Sequence, residues 1–597
     1  LGLGILMGGY WAYETLNFGG YWNWDPVENA VYVPWLIMIA SIHTMITYKN
    51  SETALKSSMI LVVAVFLLIL YSTFLTRSGI LGDASVHSFT DLGLSGQLLV
   101  YMLFFMIAAI ALMALRWKEI PSTEKEVATY SREFWIFLGA TTLCLMGFQV
   151  LIPTSIPVYN KIIEIFGGIS NLAPPANQIE FYSKFQLWFA VAVACFSGVG
   201  QFFWWRKMDK EKVKKELIVP ALITLIVFAL IIAVAKVYQP AYLALTFAGV
   251  FIIVSNLKVL QTVLKVNPKL SGGAIAHIGI GMMLIGIMFS AGYSRVVSLN
   301  NTGLIYIKEM GTEFNRDNLL LFLHEPRTMG GYDIEFLGER MEPRHKSGYV
   351  KKGDIEPTAD PYKVVAKKEI SFQGKKLYNA KDTFEVYPEN TFYEIELRKD
   401  NKIAASLFPR VQVNPAMGGF LASPDIKRNL ASDLYTHVSA PMDANAEVDW
   451  GKTEEVRVTI GQKFYINDYV AVLEEVKRLD QLPGLELVND DVAVQARIKV
   501  EGERDTYYAE PIFLIKDRAQ VGRIASEVSD LGIKVTLLNI HPESNEFSLA
   551  LNARQKDWVI IKAMEKPYIN ILWIGTIVLL IGFTIAMLRR FKEIRTA

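Results

Sequence analysis

Between residues 18 and 36 the chain reads FGGYWNWDPVENAVYVPWL, and this stretch gathers the side chains best suited to hold a flat ligand. Tyr21, Trp22 and Trp24 stand beside Asp25, Glu28 and Asn29, with Gly19 and Gly20 ahead of them and Pro26 in the middle. Flat rings next to a few polar groups suit an interfacial platform on which a large planar molecule can stack. Trp and Tyr also collect at headgroup level as a plain aromatic belt, and aromaticity alone leaves both readings open. The stretch is too polar, and too interrupted by Gly and Pro, to span a bilayer itself.

His43 and His277 are the second candidates, because each lies inside an otherwise apolar run. An ionisable side chain in a membrane helix is costly unless it has a partner, so its presence points to function. The plainer alternative is that each imidazole hydrogen-bonds a neighbouring helix. No Asp, Glu, Lys or Arg occurs within the interiors of these runs, and Lys236 sits at an outer end. Cys144 and Cys195 both lie in apolar runs with no CxxC pair, which excludes a dithiol centre or a zinc site built on cysteine.

The elements that must carry these groups are membrane helices. The chain has 597 residues, is 52% hydrophobic and carries a formal net charge of +1. Such a composition fits a polytopic membrane protein with a soluble part and argues against a nucleic-acid partner. Apolar runs fall at 1–12, 30–47, 57–76, 93–115, 135–152, 185–205, 217–236, 241–257, 273–293 and 568–588, of which 241–257 is marginal in length. Lys and Arg concentrate in 116–132, 206–215, 258–269 and the tail after Arg589, which alternation puts on one side, the cytoplasmic one. The platform, the loop holding His87, the loop 153–184 and the block 294–567 then face outward. At about 1.5 Å per residue, His43 lies roughly 20 Å and His277 roughly 24 Å below that outer surface. Two imidazoles at nearly equal depth on different helices could ligate one haem iron from opposite faces. Gly272, Gly273, Ala274, Ala276, Gly279 and Gly281 leave room there for a helix or a porphyrin.

The expected fold is an α-helical polytopic membrane bundle with a large, outward-facing, mostly-β soluble domain inserted before the last transmembrane helix. Its domains would be 1–293, carrying the platform 18–36; 294–567; and 568–597. Alternation at Tyr332, Ile334, Phe336, at Tyr393, Ile395, Leu397 and at Val456, Val458, Ile460 predicts antiparallel strands with one solvated face. One helix is expected at Arg518 to Leu531. His324, His345, His437 and His541 are scattered, without a second His at ligand spacing, and read as surface or core residues.

WDPVENA followed by a membrane helix, then FLTRSG and SVHSF, closely resembles the tryptophan-rich WWD signature of haem-handling membrane proteins. The nearest match is the CcmF family of cytochrome c maturation haem lyases. The family usually has Trp where this chain has Tyr21, and Asn23 separates Trp22 from Trp24. SIHTM and AHIGIG resemble the family's two membrane histidine segments, which implies a buried b-type haem held by His43 and His277. The resemblance also implies an external site where haem rests transiently on Tyr21, Trp22, Trp24, Asp25, Glu28 and Asn29 with His87 as one axial ligand. Arg77 could pair with a haem propionate there or simply anchor at the headgroups. The family's other external histidine lies upstream of the platform, and because Leu1 opens in the middle of an apolar run, an N-terminal part is expected to be missing. The stretch 408–441, with DLYTHVSAP, is also family-like, whereas 445–560 looks like an insertion.

The implied activity is haem attachment to the CxxCH thiols of an apocytochrome c, on the periplasmic face of the inner membrane. A haem chaperone and other cytochrome c maturation subunits would be partners, and the buried haem the reductant. A CcsA-type synthase that exports haem itself shares the signature. A transporter would need buried acids or lysines, which these runs lack, and a membrane-anchored scaffold would carry no chromophore.

Overall fold

The computed structural model describes residues 1–47, 53–82, 85, 93–121, 131–204, 210–303, 305–414, 419–442, 450–482, 491–502, 505–516 and 520–596. The candidate haem ligand His87 lies outside them. Two compact units emerge: one of Leu1–Arg295, Arg428–Tyr435 and Met564–Ala597, the other of Val296–Lys427 and Thr436–Ala563.

The first unit is helical. Its elements are α1 (Gly2–Thr15), α2 (Pro26–Thr47), α3 (Thr53–Arg77), α4 (Ser95–Arg116), α5 (Arg132–Thr154), α6 (Ile156–Ile165), α7 (Gln178–Gly200), α8 (Lys210–Ala235), α9 (Pro240–Val266) and α10 (Gly272–Gly292). In chain order α11 (Gly311–Asp317), a short helix of the other unit, precedes the last one, α12 (Ile569–Thr596). Among the described residues nine helices are long and apolar enough to cross a membrane: α2 to α5, α7 to α10, and α12. The run read as marginal at 241–257 continues through residues 258–266 to give the 27-residue α9. Caps set the starts: the Ser131 hydroxyl accepts from the Phe134 N–H at 3.3 Å, and Asn177 accepts from Glu180 N–H at 3.0 Å.

Packing runs in a chain, with α2 on α3 and α5, α5 on α7, α7 on α9, and α9 on α8 and α10. The closest approach is between α10 and α12. A methyl group at Gly272 would stand 2.7 Å from the Ala586 nitrogen, and one at Gly279 would stand 2.7 Å from the Gly575 carbonyl oxygen. From the other side, a methyl at Gly575 would meet the Met283 nitrogen at 2.7 Å. Glycines seven residues apart (272, 279 and 286 on α10, 575 and 582 on α12) thus let two backbones touch. In lipid, where apolar burial gives no net drive, such close packing is what holds helices together.

The second unit is mostly β. A seven-stranded sheet contains Arg327–Met329, Tyr332–Met341, Val350–Lys351, Asn390–Lys399, Lys402–Leu407, Arg410–Asn414 and Gly419–Ser423. Tyr332, Ile334, Phe336, Tyr393, Ile395 and Leu397 are all buried, as the alternation predicts. Their polar neighbours Glu335 and Glu396 are buried too, and Arg398 pairs with both. The sheet is therefore covered on both faces at this point rather than solvated on one. The region expected to be an insertion builds two further sheets, one around Ile533–His541 and Glu546–Ala553 and the other around Tyr469–Leu479 and Val492–Glu501. They share one core, in which Val458, Leu537 and Leu549 meet Ala471, Leu473 and Ile498. The helix expected at Arg518 to Leu531 is not formed: Gln520–Ile524 and Ser526–Val528 are strands, followed by a single 3-10 turn at Ser529–Leu531. Its apolar spacing is that of a strand pair with a turn at Gly532, whose φ of +63° ends any helix. Ile460 lies past the end of its strand, Glu454–Val458, and is exposed in a turn.

Candidate functional site

The platform is shaped by its own polar residues. Asp25 caps α2, with its Oδ1 accepting from the Val27 N–H at 2.8 Å and from the Ser85 hydroxyl at 2.7 Å. Glu28 reaches back, its Oε2 accepting from the N–H groups of Asn23 at 2.9 Å and Asp25 at 3.0 Å. With Pro26 at the first helical position, WDPVE is a reciprocal capping box. Asn29 is fully buried and donates through Nδ2 to the Trp24 carbonyl at 3.0 Å and to Thr154 Oγ1 at 3.2 Å. These three side chains hold Trp24 in a left-handed backbone conformation at φ +56°, which a bulky residue adopts only when its surroundings enforce it.

The rings so positioned form a cluster. Trp24 stacks on Tyr182 at 5.4 Å between centroids and donates through Nε1 to Ser183 Oγ at 3.1 Å. Trp22 meets Trp24 edge-on at 5.9 Å and Tyr32 at 5.8 Å, and Tyr32 stacks on Trp35 at 5.9 Å. Tyr21 turns the other way: its hydroxyl bonds Ser290 Oγ on α10 at 3.0 Å, and its ring meets Trp573 of α12 edge-on at 5.8 Å. Burial pushes the Tyr21 phenol up to about 12, against the pull of Ser290. Arg77 is the exposed last residue of α3.

The front of the platform is braced by the segment 428–435. The Tyr435 hydroxyl donates to the Leu16 carbonyl at 2.5 Å and accepts from the Gly19 N–H at 3.3 Å. Gly19 has a φ of +74°, and a Cβ there would overlap Met564. Tyr13 donates to Asp433 Oδ2 at 3.1 Å, Asn429 N–H to Oδ1 at 3.3 Å, and Arg428 pairs with Glu14. Burial pushes the Asp433 carboxyl up, partly offset by the Tyr13 hydroxyl and the Asn429 N–H. Tyr435, Trp573, Tyr182 and Ser183 were not singled out in the sequence. Tyr435 lay in the family-like DLYTHVSAP, but no local pattern marked the other three.

At the far ends of α2 and α10, His43 and His277 come together, with ring centroids 6.1 Å apart and planes inclined at 74°. Both rings are partly buried. Each Nδ1 faces the backbone carbonyl one turn back, Ile39 at 2.8 Å and Gly273 at 2.7 Å. An imidazole that donates from Nδ1 to a carbonyl leaves the Nε2 lone pair for a metal. A ligating nitrogen stands about 2 Å from its metal and the ring centre about 1 Å behind it, so two imidazoles across one ion have centres about 6 Å apart. No group of three or more His, Cys, Asp or Glu able to hold a metal occurs among the described residues. Two imidazoles suit an iron whose remaining ligands come from a macrocycle. The Gln201 side chain is also there, its amide 3.3 Å from His277 Nδ1. Gly272 and Gly279 face α12 and Gly281 faces α9, so the small residues around His277 serve helix approach.

Comparison with known proteins finds likeness to cytochrome c assembly and biogenesis proteins. Residues 1–81 match the family described as Cytochrome C assembly protein. The chain is 29% identical over 303 residues to the cytochrome c-type biogenesis protein CcmF of Escherichia coli (strain K12), which covers 49% of this chain and 45% of that protein. It is 30% identical to CcmF of Haemophilus influenzae over 49% of this chain and 46% of that one. It is 32% identical to the cytochrome c-type biogenesis protein CycK of Rhizobium meliloti, over 48% and 43%. The matched region thus spans about half the length of these curated relatives. A solved structure titled Cytochrome c Heme Lyase CcmF shares the fold, with a TM-score of 0.52 at 15% identity, covering 98% of this chain and 63% of that one.

Proposed function

We propose that this chain, a multi-pass membrane relative of the CcmF cytochrome c biogenesis proteins, is the haem lyase component of cytochrome c maturation. The observation that carries the reading is the His43–His277 pair, 6.1 Å apart with both Nδ1 atoms engaged by backbone carbonyls. These two residues would hold a resident b-type haem through Nε2, and when bound that group supplies single electrons. From Ser290 at the platform to His277 is thirteen residues along α10, about 20 Å at 1.5 Å per residue.

At the platform the haem is substrate. The Trp22 and Trp24 rings, fixed by the capping box, offer it an aromatic surface, His87 an axial ligand, and Arg77 a partner for a propionate. Each CxxCH thiol of the apocytochrome adds S–H across one vinyl C=C to give a thioether, so the atoms balance without a leaving group. The addition requires ferrous iron, which is the role of the buried pair. Holding a planar substrate against two thiols is catalysis by positioning. A haem chaperone delivers the substrate, and other maturation subunits complete the assembly. The alternation of the basic loops supports a periplasmic position for α2's platform end and for the mostly-β unit.

The test is the visible spectrum of the purified, dithionite-reduced protein. A bis-imidazole b-type signal that disappears in both His43→Ala and His277→Ala is the expected result. A colourless wild-type protein that is folded overturns the reading in favour of a membrane-anchored scaffold.

A further inference from the structure

The two imidazoles are not held alike. His43 Nδ1 has the Ile39 carbonyl, 2.8 Å away, as its partner. His277 Nδ1 has the Gly273 carbonyl at 2.7 Å and, in addition, the side-chain amide of Gln201 at 3.3 Å. Gln201 is the residue at which α7 ends and a 3-10 turn, Gln201–Trp204, begins. From there its amide meets His277 of α10.

The orientation of that amide follows from its neighbours. Nδ1 points its proton at the Gly273 carbonyl, so the group facing Nδ1 from Gln201 must be an acceptor. An NH2 facing an N–H would repel it. With Nε2 against Nδ1 the amide would set two N–H groups face to face and leave Oε1 buried without a partner among the described residues. Side-chain amide oxygen and nitrogen are assigned from the hydrogen-bond network, and here the network puts the oxygen against Nδ1. The Nδ1–H is then shared between two acceptors, one backbone and one side chain.

We infer that Gln201 is a positioning residue for the His277 ligand, accepting a hydrogen bond from its Nδ1–H and so making it the more strongly donating of the two imidazoles. This rests on the haem reading of the pair. An acceptor on the outer ring nitrogen fixes the tautomer and the ring orientation and raises the basicity of the ligating nitrogen. A more basic axial ligand favours ferric over ferrous iron. Gln201 therefore lowers the reduction potential of the buried haem, which makes it a better donor to the substrate haem. The neighbouring helix surface carries other buried polar atoms without partners among the described residues, Ser197 Oγ and Trp135 Nε1, but neither is recorded in contact with an imidazole.

The experiment is a redox titration of the purified full-length chain, followed by the b-type absorbance, for wild type, Gln201→Met, Gln201→Glu and Ser197→Ala. Met keeps the length of the side chain and removes the acceptor. A tenfold loss of preference for ferric iron raises the midpoint by about 59 mV for one electron, and a rise of that order in Gln201→Met is expected. Gln201→Glu keeps and strengthens the acceptor, so its midpoint falls at or below the wild-type value. Ser197→Ala, one turn earlier on α7, leaves the midpoint in place. An unchanged or lower midpoint in Gln201→Met overturns the assignment of Gln201 while the haem pair stands. If that variant does not fold, a raised midpoint in Gln201→Glu overturns it equally. A wild-type protein with no b-type absorbance overturns both the assignment and the haem reading beneath it.

Discussion

Replacing Gly279 by Ala tests whether the bundle closes through direct backbone contact between α10 and α12. The added methyl stands 2.7 Å from the Gly575 carbonyl oxygen and close to the backbone of Leu579. Non-bonded heavy atoms settle at about 3.5–4.0 Å, so the helices must part by roughly 1 Å, forfeiting between a quarter and a half of the local dispersion energy. Overpacking of this kind costs about 1–3 kcal/mol. The matched control is Gly139→Ala in α5, where a methyl meets nothing within 4 Å. There the exchange removes a helix-interior glycine, a gain of about 1 kcal/mol by propensity. The two variants, measured by denaturant unfolding of the detergent-solubilised protein with Trp fluorescence, should therefore separate by about 2–4 kcal/mol in opposite directions. Because His277 lies two residues from Gly279, the b-type absorbance expected on the proposed haem reading should weaken in the first variant alone. Equal stability of Gly279→Ala and Gly139→Ala would refute the contact.

Asp25→Ala removes the α2 cap and leaves the Val27 N–H and the Ser85 hydroxyl without their acceptor, at a cost of about 0.5–2 kcal/mol; Asp25→Asn, which keeps an acceptor, should recover most of it in the same unfolding assay. Tyr435→Phe deletes the hydroxyl between Leu16 and Gly19 and removes a donor from the part-buried Leu16 carbonyl, so about 0.5–1.5 kcal/mol is lost, and hydrogen exchange at 16–20 should rise while that at 470–500 does not. His437 is 4% exposed, and burial, helped by Lys562, depresses its proton affinity to about 3. The folded state binds its proton less readily than the unfolded chain, so this contribution is whole above about pH 6.5 and declines as pH falls, by about 2 kcal/mol at pH 5. His437→Gln should flatten that pH dependence in hydrogen exchange of the strand Ser432–Pro441; an unchanged slope between pH 7 and 5 would show that His437 is not its source.

Much of the helical unit was legible because membrane helices announce themselves by length and apolarity, and lone imidazoles such as His43 and His277 stand out against such a background. The capping role of Asp25 and Glu28 was not read, although both lie within four residues of each other, because they stood out as polar partners of the aromatic rings. What else escaped was long-range. Trp573 reaches Tyr21 across more than 500 residues, and Gln201 meets His277 across 76. In the β unit the alternation located strands but not their cover: Glu335 and Glu396 read as solvated positions and are buried with Arg398. The expected helix near residue 520 failed because 3.6- and 2-residue periods are hard to tell apart over short stretches that a turn interrupts.

The glycine seam between α10 and α12 joins segments that leave the ribosome far apart in time. α10 ends at residue 292 and α12 begins at residue 569. At roughly 5–20 residues per second, the intervening chain takes roughly 15–60 s to make. Throughout that interval the grooved side of α10 lacks its α12 partner, and the seam closes only after the whole β portion has been translated. A nascent chain arrested before residue 569 would bring the imidazoles into the bilayer without the strut that packs against one of their helices, so on the proposed haem reading the pair is completed only with the polypeptide.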